Sequence, residues 1–407
     1  MKSAKKVALF LPHLGRGGVS KQMLLLADAF NVNNTCVDIL TFEENSTKAC
    51  LSLISEGINV KTLKKEPYTC VIARLLRHYF SQLPLLFKPF ICPLRPCKAQ
   101  FYLKSLQQYL DHHNPDILYS AQPHCNIVAV IAKRLAGVET KLILTERTAI
   151  SRDIESRMHK FRWRYIAAVM RRFYPEADSV ISVSRCVQED LAQLLAPMKA
   201  NLGTIYNPIV VEHVRFNMSA PLTHPLTDHA EYKLVVASGR LVEQKNYPLL
   251  LHAFALASQE RKLKLIILGE GGLKRSIQTL AQQLAVEDDL ILPGHLLNPY
   301  PIMRQSDVIV MTSLWEGMPN VLLEAMACGC KTVALDCPCG PREILDHGKY
   351  GSLLPLATNA RQLAEVILAE VERSHDESAQ LQHLQKFSLE NSIQQHIDLH
   401  DQLLASG

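Results

Sequence analysis

Short apolar runs alternate with segments of helical period through almost the whole chain. In the first half KVALFLP, CVDILTF, PDILYSA, KLILTE, DSVISVS and LGTIYNP have the length of buried strands. VSKQMLLLADAF, NIVAVIAKRLAG and CVQEDLAQLLA carry apolar residues at helical spacing between them. The rhythm pauses from Asn207 to about Glu231, where prolines occur and no period is clear. It restarts with KLVVASGR, then a helix over NYPLLLHAFALAS, LKLIILGEGG, a helix over LKRSIQTLAQQLA, and the strands DLILPG, DVIVMTS and KTVALD. FSLENSIQQHIDLHDQLL closes the chain as an amphipathic helix. This alternation predicts parallel α/β layers. It divides the chain into an N-terminal domain over 1–206, a linker over 207–231, a C-terminal domain over 232–386, and a helix over 387–407 that can cross back to the N-terminal domain. Two such halves predict facing Rossmann-like domains with an interdomain cleft, into which the strand C-termini point.

Length and composition agree with that picture. The chain has 407 residues, 48% hydrophobic and 20% charged, enough for two domains of ordinary size. No apolar run reaches the roughly eighteen residues that a membrane span needs. The basic start and short apolar run of MKSAKKVALFLPHLGRGG read as a first core strand, not a secretory signal. Eleven scattered cysteines fit a reducing compartment and argue against a disulfide scaffold. The pairs Cys328/Cys330 and Cys337/Cys339 have the wrong spacing for structural zinc, and no metal is expected.

The net charge of +5 hides an asymmetry. Residues 1–205 hold 28 Lys+Arg against 16 Asp+Glu, and residues 206–407 hold 16 against 23. The first half is therefore suited to an anionic partner, a phospholipid surface or a diphosphate-linked acceptor, if the imbalance is more than surface variation. Residues 71–104 combine Phe, Leu, Pro, Arg and Lys with almost no acids, and RMHKFRWRYIAAVMRRFY places Met158, Phe161, Tyr165 and Val169 on one helical stripe. Both segments fit a membrane interface, and both equally fit core-facing helices with solvated cationic faces. No nucleic-acid partner is expected.

The candidate chemistry lies in the turns that follow strands. Gly15-Arg16-Gly17-Gly18 opens a helix, and glycines there let backbone amides approach an anion. The turn is not a G-x-G-x-x-G fingerprint, and no acid ends the second strand, so a dinucleotide cofactor is disfavoured. In the second half Arg240 ends a strand and Lys245 follows, two cations suited to a diphosphate. In TSLWEGMPNVLLEAMACG, Glu316 stands in the turn after a strand. Gly317 and Pro319 lead into a helix that carries Glu324, with Pro suited to the first helical turn and Gly329 to the stop. The helix start suits phosphate oxygens, while an acid beside them must face something else, such as sugar hydroxyls. That reading puts Glu316 over a sugar and Glu324 near a ribose.

At these residues the chain resembles the family 4 retaining glycosyltransferases of GT-B fold, over nearly its whole length. GGVSKQMLLLADAF, PEADSVISVS with YNP, GRLVEQKN, ILGEGGLKRSIQTLAQQLAVEDDLILPG and EGMPNVLLEAMACG followed by CPCGPREIL carry the likeness, and the Glu316/Glu324 pair is its most specific part. The resemblance implies that Arg240 and Lys245 bind the donor diphosphate, that Glu316 contacts the donor sugar and acts at the reacting centre, and that Glu324 contacts the ribose. It implies that Gly17 and Gly18 close over the phosphates, and that Gly269, Glu270 and Gly271 form a loop beside the nucleotide, with Gly317, Pro319 and Asn320 also at the donor. It implies no metal and no cofactor, the nucleotide-sugar being a co-substrate. One departure stands out. Many members carry His-x-His after the strand that here reads PDILYSAQPH, and the nearest histidine is His124, open to a catalytic or a loop role. Glu146 and Arg147 match an acidic–basic element that implies acceptor binding, the alternative being a surface ion pair.

Together these readings give a cytoplasmic enzyme, peripheral on the inner membrane face. It transfers a hexose or N-acetylhexosamine, from a UDP-sugar by preference, to a lipid-linked saccharide of lipopolysaccharide, capsule or a related glycan. A nucleotide-sugar epimerase of similar fold, an oxidoreductase and a non-catalytic sugar-nucleotide-binding protein are the alternatives.

Overall fold

The computed structural model describes residues 5–12, 14, 17–42, 54–79, 86, 97–221 and 231–406. Gly15 and Arg16, residues 80–85 and 87–96 of the first basic segment, and residues 222–230 lie outside the described residues. The chain forms two compact units, one of Met1–Asn207 with Ser392–Gly407, the other of Pro208–Asn391.

The first unit is built on a seven-stranded sheet. Its strands are β1 (Lys6–Leu11), β2 (Cys36–Thr41), β3 (Asn59–Thr62), β4 (Ile117–Ala121), β5 (Lys141–Glu146), β6 (Ser179–Ser182) and β7 (Leu202–Thr204), in spatial order β3-β2-β1-β4-β5-β6-β7. All pairs are parallel, with Val7 opposite Val37 on one side and Ile117 on the other. A parallel sheet is covered on both faces, which is why its strands read as unbroken apolar runs. Val7, Leu9, Ile117, Tyr119 and Ile143 face helix α1 (Gly18–Val32), while Ala8, Phe10, Leu118, Leu142 and Leu144 face the opposite way. That second layer includes α2 (Pro123–Ala136) and α3 (Ile166–Phe173). Strand order reverses between β1 and β4, so Gly17 at the start of α1 and His124 in the first turn of α2 follow neighbouring strands.

The expected stripe Met158–Phe161–Tyr165–Val169 is not one helix. A 3-10 turn over Phe161–Tyr165 precedes α3, and the buried series is instead Trp163, Ile166, Val169, Met170 and Phe173, with Met158 exposed. The tighter turn shifts the helical register, so the apolar face re-forms one step later. The Phe161 side chain lies outside the described set.

The second unit carries a six-stranded parallel sheet of β8 (Lys233–Ser238), β9 (Leu263–Leu268), β10 (Leu290–Gly294), β11 (Val308–Met311), β12 (Thr332–Asp336) and β13 (Ser352–Pro355). The order is β10-β9-β8-β11-β12-β13, so the reversal falls between β8 and β11. Within the stretch read as a linker, Val211–Met218 is a helix, α4, which the short and mixed pattern hid. Helix α5 (Tyr247–Glu260) packs Leu250, Leu251 and Phe254 on one sheet face, and α6 (Asn320–Ala327) follows β11.

The last helix, α7 (Leu389–Ala405), starts in the second unit and ends in the first. Its Leu403 joins the β1–β4 core. The Tyr119 hydroxyl lies 2.9 Å from His396 Nδ1 and 2.7 Å from His400 Nε2, and the Phe30 ring lies 5.0 Å from that of His400. Among the described residues no helix is long and apolar enough to cross a membrane.

Candidate functional site

The connections that follow the two strands flanking the reversal of the second sheet hold Arg240, Lys245, Glu316, Gly317 and Pro319, with Asn320 and Glu324 on α6. β8 runs into Gly239 and Arg240, then a 3-10 turn over Glu243–Lys245, then α5. β11 runs into the loop 312–319 and α6. These two connections are laced together. Leu314 N donates to Gln244 O at 2.8 Å, Gln244 Nε2 to Trp315 O at 2.7 Å, and Thr312 Oγ1 to Lys245 O at 2.9 Å. The consequence is a close pair: Lys245 Nζ lies 2.5 Å from Glu316 Oε1, and both side chains are nearly buried. Lys245 and Glu316, assigned separately to phosphate and sugar by the resemblance, therefore form one charged unit. Arg240 is exposed.

Three residues that the sequence reading passed over shape this pair. Gly239 leaves room for the lysine stem, since a Cβ there would sit 2.9 Å from Lys245 Cε. Tyr247, buried at the start of α5, donates to Gly239 O at 3.0 Å. Burial, and then the Glu316 charge, push its phenol up from the ordinary value. Gly340, at φ +104°, lets the loop after β12 close on Pro319, whose Cδ would lie 2.4 Å from a Cβ at 340. Glu316 N donates to Pro338 O in that same loop. No local pattern in the sequence marks Gly239 or Tyr247, because their partners are set by the fold.

Gly317 and Pro319 are buried, and Asn320 begins α6. The helix offers its positive end at this point, beside the Lys245–Glu316 pair. Glu324, half-buried on the second turn, accepts from Tyr300 Oη at 3.4 Å. Cys328 and Cys330 are buried thiols, with Cys330 Sγ 2.9 Å from Met303 O.

Gly269 and Gly271 have a packing reason of their own. Gly269 N donates to Gly294 O, Leu241 N to Glu270 O, and the two turns after β8 and β9 touch backbone to backbone. A Cβ at 269 would lie 2.0 Å from Gly239 O, and one at 271 would lie 2.4 Å from Leu241 O. Gly269→Ala, at φ +144°, is therefore expected to lower the melting temperature by roughly 5 °C or more, from a strain of about 1–3 kcal/mol. A thermal melt within experimental error of wild type would show that the turns relax freely. Glu270 itself is exposed.

In the first unit, Gly17 caps α1 with extended backbone, and a Cβ there would meet nothing within 4 Å. Gly18 is the first residue of α1. His124 lies in the first turn of α2 with its ring edge-on to Trp163, centroids 5.4 Å apart.

Glu146 and Arg147 do not form the surface ion pair considered above. Glu146 ends β5 facing α2 and α3, only 1% exposed. Its Oε1 accepts from Asn126 Nδ2 at 2.9 Å and from the Tyr174 hydroxyl, so this side chain is engaged inside the protein. Arg147 leaves on the other face, where Nη1 donates to Asn207 Oδ1 at 2.8 Å and Nη2 reaches Met23 Sδ. The two side chains thus have separate hydrogen-bond partners, with Arg147 just beyond the end of β5.

Residues 16–213 match the family description "Glycosyltransferase Family 4", and residues 225–383 match "Glycosyl transferases group 1". The N-acetylgalactosamine-N,N'-diacetylbacillosaminyl-diphospho-undecaprenol 4-alpha-N-acetylgalactosaminyltransferase of Campylobacter jejuni is 33% identical over 234 residues, 56% of this chain and 60% of that protein. A lipopolysaccharide 1,6-galactosyltransferase of Salmonella typhimurium is 28% identical over 209 residues, 49% of this chain and 55% of that protein. Each of these matches thus spans less than two thirds of the relative's length. Among solved structures, Anabaena HepE in complex with UDP-glucose has a TM-score of 0.74 at 19% identity, covering 99% of this chain and 100% of that one. Sucrose-phosphate synthase from Thermosynechococcus elongatus has a TM-score of 0.76 at 18% identity, with the same coverage. At such identities the likeness is one of fold.

Proposed function

We propose, from the premise that the chain belongs to the family 4 glycosyltransferases and has their GT-B fold, that it transfers a hexose or N-acetylhexosamine from a nucleotide-sugar to a lipid-linked saccharide with retention of anomeric configuration. The observation that carries this reading is the Lys245–Glu316 pair at the reversal of the second sheet, beside the positive end of α6. Lys245, Arg240 and the amides of that helix start stabilise the nucleoside diphosphate as its charge grows on departure. Glu316, oriented by Lys245, holds donor-sugar hydroxyls near the reacting carbon, and Glu324 takes the ribose. The departing phosphate accepts the proton of the incoming acceptor on the same face of the sugar, so His124 is not required as a base. Gly269, Glu270 and Gly271 border the nucleotide.

UDP is the favoured nucleotide, since HepE is solved with UDP-glucose. The lipid-linked acceptor is favoured by the diphospho-undecaprenol substrate in the Campylobacter relative's name, by the lipopolysaccharide of the Salmonella one, and by the basic first half of this chain. Arg147 is the acceptor contact in this reading, and the protein works peripherally on the inner face of the membrane. The test is incubation of purified protein with membranes and a panel of labelled nucleotide-sugars, followed by the anomeric coupling of the product. Absence of transfer from every donor would sink the reading, and an inverted anomer would sink retention.

Gly17→Ala separates a ligand role from a folding role. The open space at this position predicts a stability within about 1 kcal/mol of wild type, read from a thermal melt. The donor KM should rise. An unchanged KM would remove Gly17 from the donor site.

A further inference from the structure

We propose that Glu146 is a positioning residue, whose carboxyl ties the helix start carrying His124 to the end of β5, just before Arg147. The inference rests on the transferase reading above, and it replaces direct acceptor contact by Glu146 with control of its neighbours.

The tie is visible atom by atom. Asn126, two residues beyond His124 on α2, donates through Nδ2 to Glu146 Oε1 at 2.9 Å and to Thr145 O at 3.2 Å. The same amide lies 3.1 Å from the Tyr174 hydroxyl, which itself donates to Glu146 Oε1. Asn126 N donates to Gln122 O at 2.9 Å, closing the first turn of α2 after the left-handed Gln122 at φ +80°. One carboxyl oxygen thus gathers a helix, a strand end and the turn after α3. Glu146, Asn126 and Tyr174 are all essentially out of water.

An ionised carboxylate there would have two neutral dipoles in place of its hydration, which is a costly exchange. The charged and titratable groups around it do not offset that. They are Tyr174 after α3, Cys125 on α2, Asp153 on the helix Ile150–Ser156, Asp190 on the helix Arg185–Leu195, and Arg147 next in the chain. Burial dominates, the hydrogen bonds from Tyr174 and Asn126 oppose it, and the two aspartates add to it, leaving the carboxyl pushed up to about 8.

Neutrality matters because of Arg147. Its Nη atoms reach an amide oxygen and a thioether, its Nε is buried with no partner, and no carboxylate pairs with it among the described residues. A half-buried guanidinium that pairs with no carboxylate among the described residues is poised for an anionic ligand. A charged Glu146 one residue away would supply that counter-charge from within and weaken the hold on an anionic acceptor.

The experiment uses the full chain, a labelled UDP-sugar from the donor panel, and a membrane lipid extract as acceptor probe, with KM for each measured from pH 6 to about 9.5. Wild type should show an acceptor KM that rises severalfold above about pH 8 and a donor KM that stays flat. Glu146→Gln should keep the neutral-pH acceptor KM and lose the alkaline rise. Glu146→Ala, which strands the Asn126 and Tyr174 donors, should raise the acceptor KM about tenfold at pH 7 while melting as a folded protein. Isotope-edited infrared spectroscopy of labelled glutamate gives an arm without turnover. A protonated carboxyl that titrates near pH 8 and vanishes in Glu146→Gln supports the inference, and its absence from wild type overturns it. So would the same alkaline rise in wild type and Glu146→Gln, or an unchanged acceptor KM in folded Glu146→Ala. Lack of any transfer by wild type, with the infrared band present, would remove the transferase reading and the positioning role together while leaving a neutral buried acid.

Discussion

Glu316→Ala and Lys245→Ala should each lower the rate of sugar transfer by about two to three orders of magnitude, the scale of losing one preorganised electrostatic contact at a reacting centre. The two variants differ in what they do to the fold. Lys245→Ala leaves the Glu316 carboxylate nearly buried without its 2.5 Å partner, and Glu316→Ala leaves the ammonium in the same position. Breaking one side of such a pair costs several kcal/mol, so activity lost by a single variant can be lost with the structure. The double variant Lys245→Met with Glu316→Gln resolves this. It keeps volume and removes both charges, so its melting temperature should return to near wild type while turnover stays low. The measurement is donor consumption and product formation beside thermal melts of all three proteins. Recovery of activity in the uncharged pair would show that the two residues only hold the loops together.

Acid should release the end of α7 from the first unit. The imidazoles of His396 and His400 are buried against Tyr119 and Phe30. Burial holds His396 well below its ordinary value and takes His400 to about 3. Both are therefore neutral when folded, and the unfolded chain protonates them near pH 6.5. Below that pH the unfolded state binds protons that the folded state refuses, so stability is present above about 6.5 and is lost as pH falls toward 3. Each histidine contributes a slope of roughly 1.4 kcal/mol per pH unit in that window. The phenol adds a geometric reason. It has one proton to give, so one imidazole nitrogen must accept while the other can donate, and protonating the acceptor leaves that proton no place. Amide exchange in residues 392–405 should quicken steeply below pH 6, and His396→Asn with His400→Gln should flatten the dependence. Protection unchanged down to pH 4 would contradict the assignment. Glu146 tilts the same unit the other way, because a carboxyl raised to about 8 takes stability away as pH climbs from 4.5.

The strand ends were readable in the chain because parallel strands buried on both faces leave continuous apolar runs. KVALFLP, KLILTE and KLVVASGR mark β1, β5 and β8, the strands that Gly17, Arg147 and Arg240 follow. What lay beyond reach was the direction of individual side chains. Glu146 looks like an exposed acid at a strand end until Asn126 and Tyr174, 20 and 28 residues away, are brought against it. The Lys245–Glu316 bond joins residues 71 apart, and neither local charge nor spacing announces it. Helix α4 was missed because eight residues give too few turns for a period to stand out.

The return of the last helix has a practical corollary for dissecting the molecule. A fragment ending at Asn207 carries every strand of the first sheet yet lacks the segment that covers Phe30 and Tyr119, so it would be prone to self-association through that bared patch. Supplying a synthetic peptide of residues 392–407 in trans should restore it to a monodisperse state. Splitting the protein cleanly in two therefore calls for three pieces of sequence rather than two.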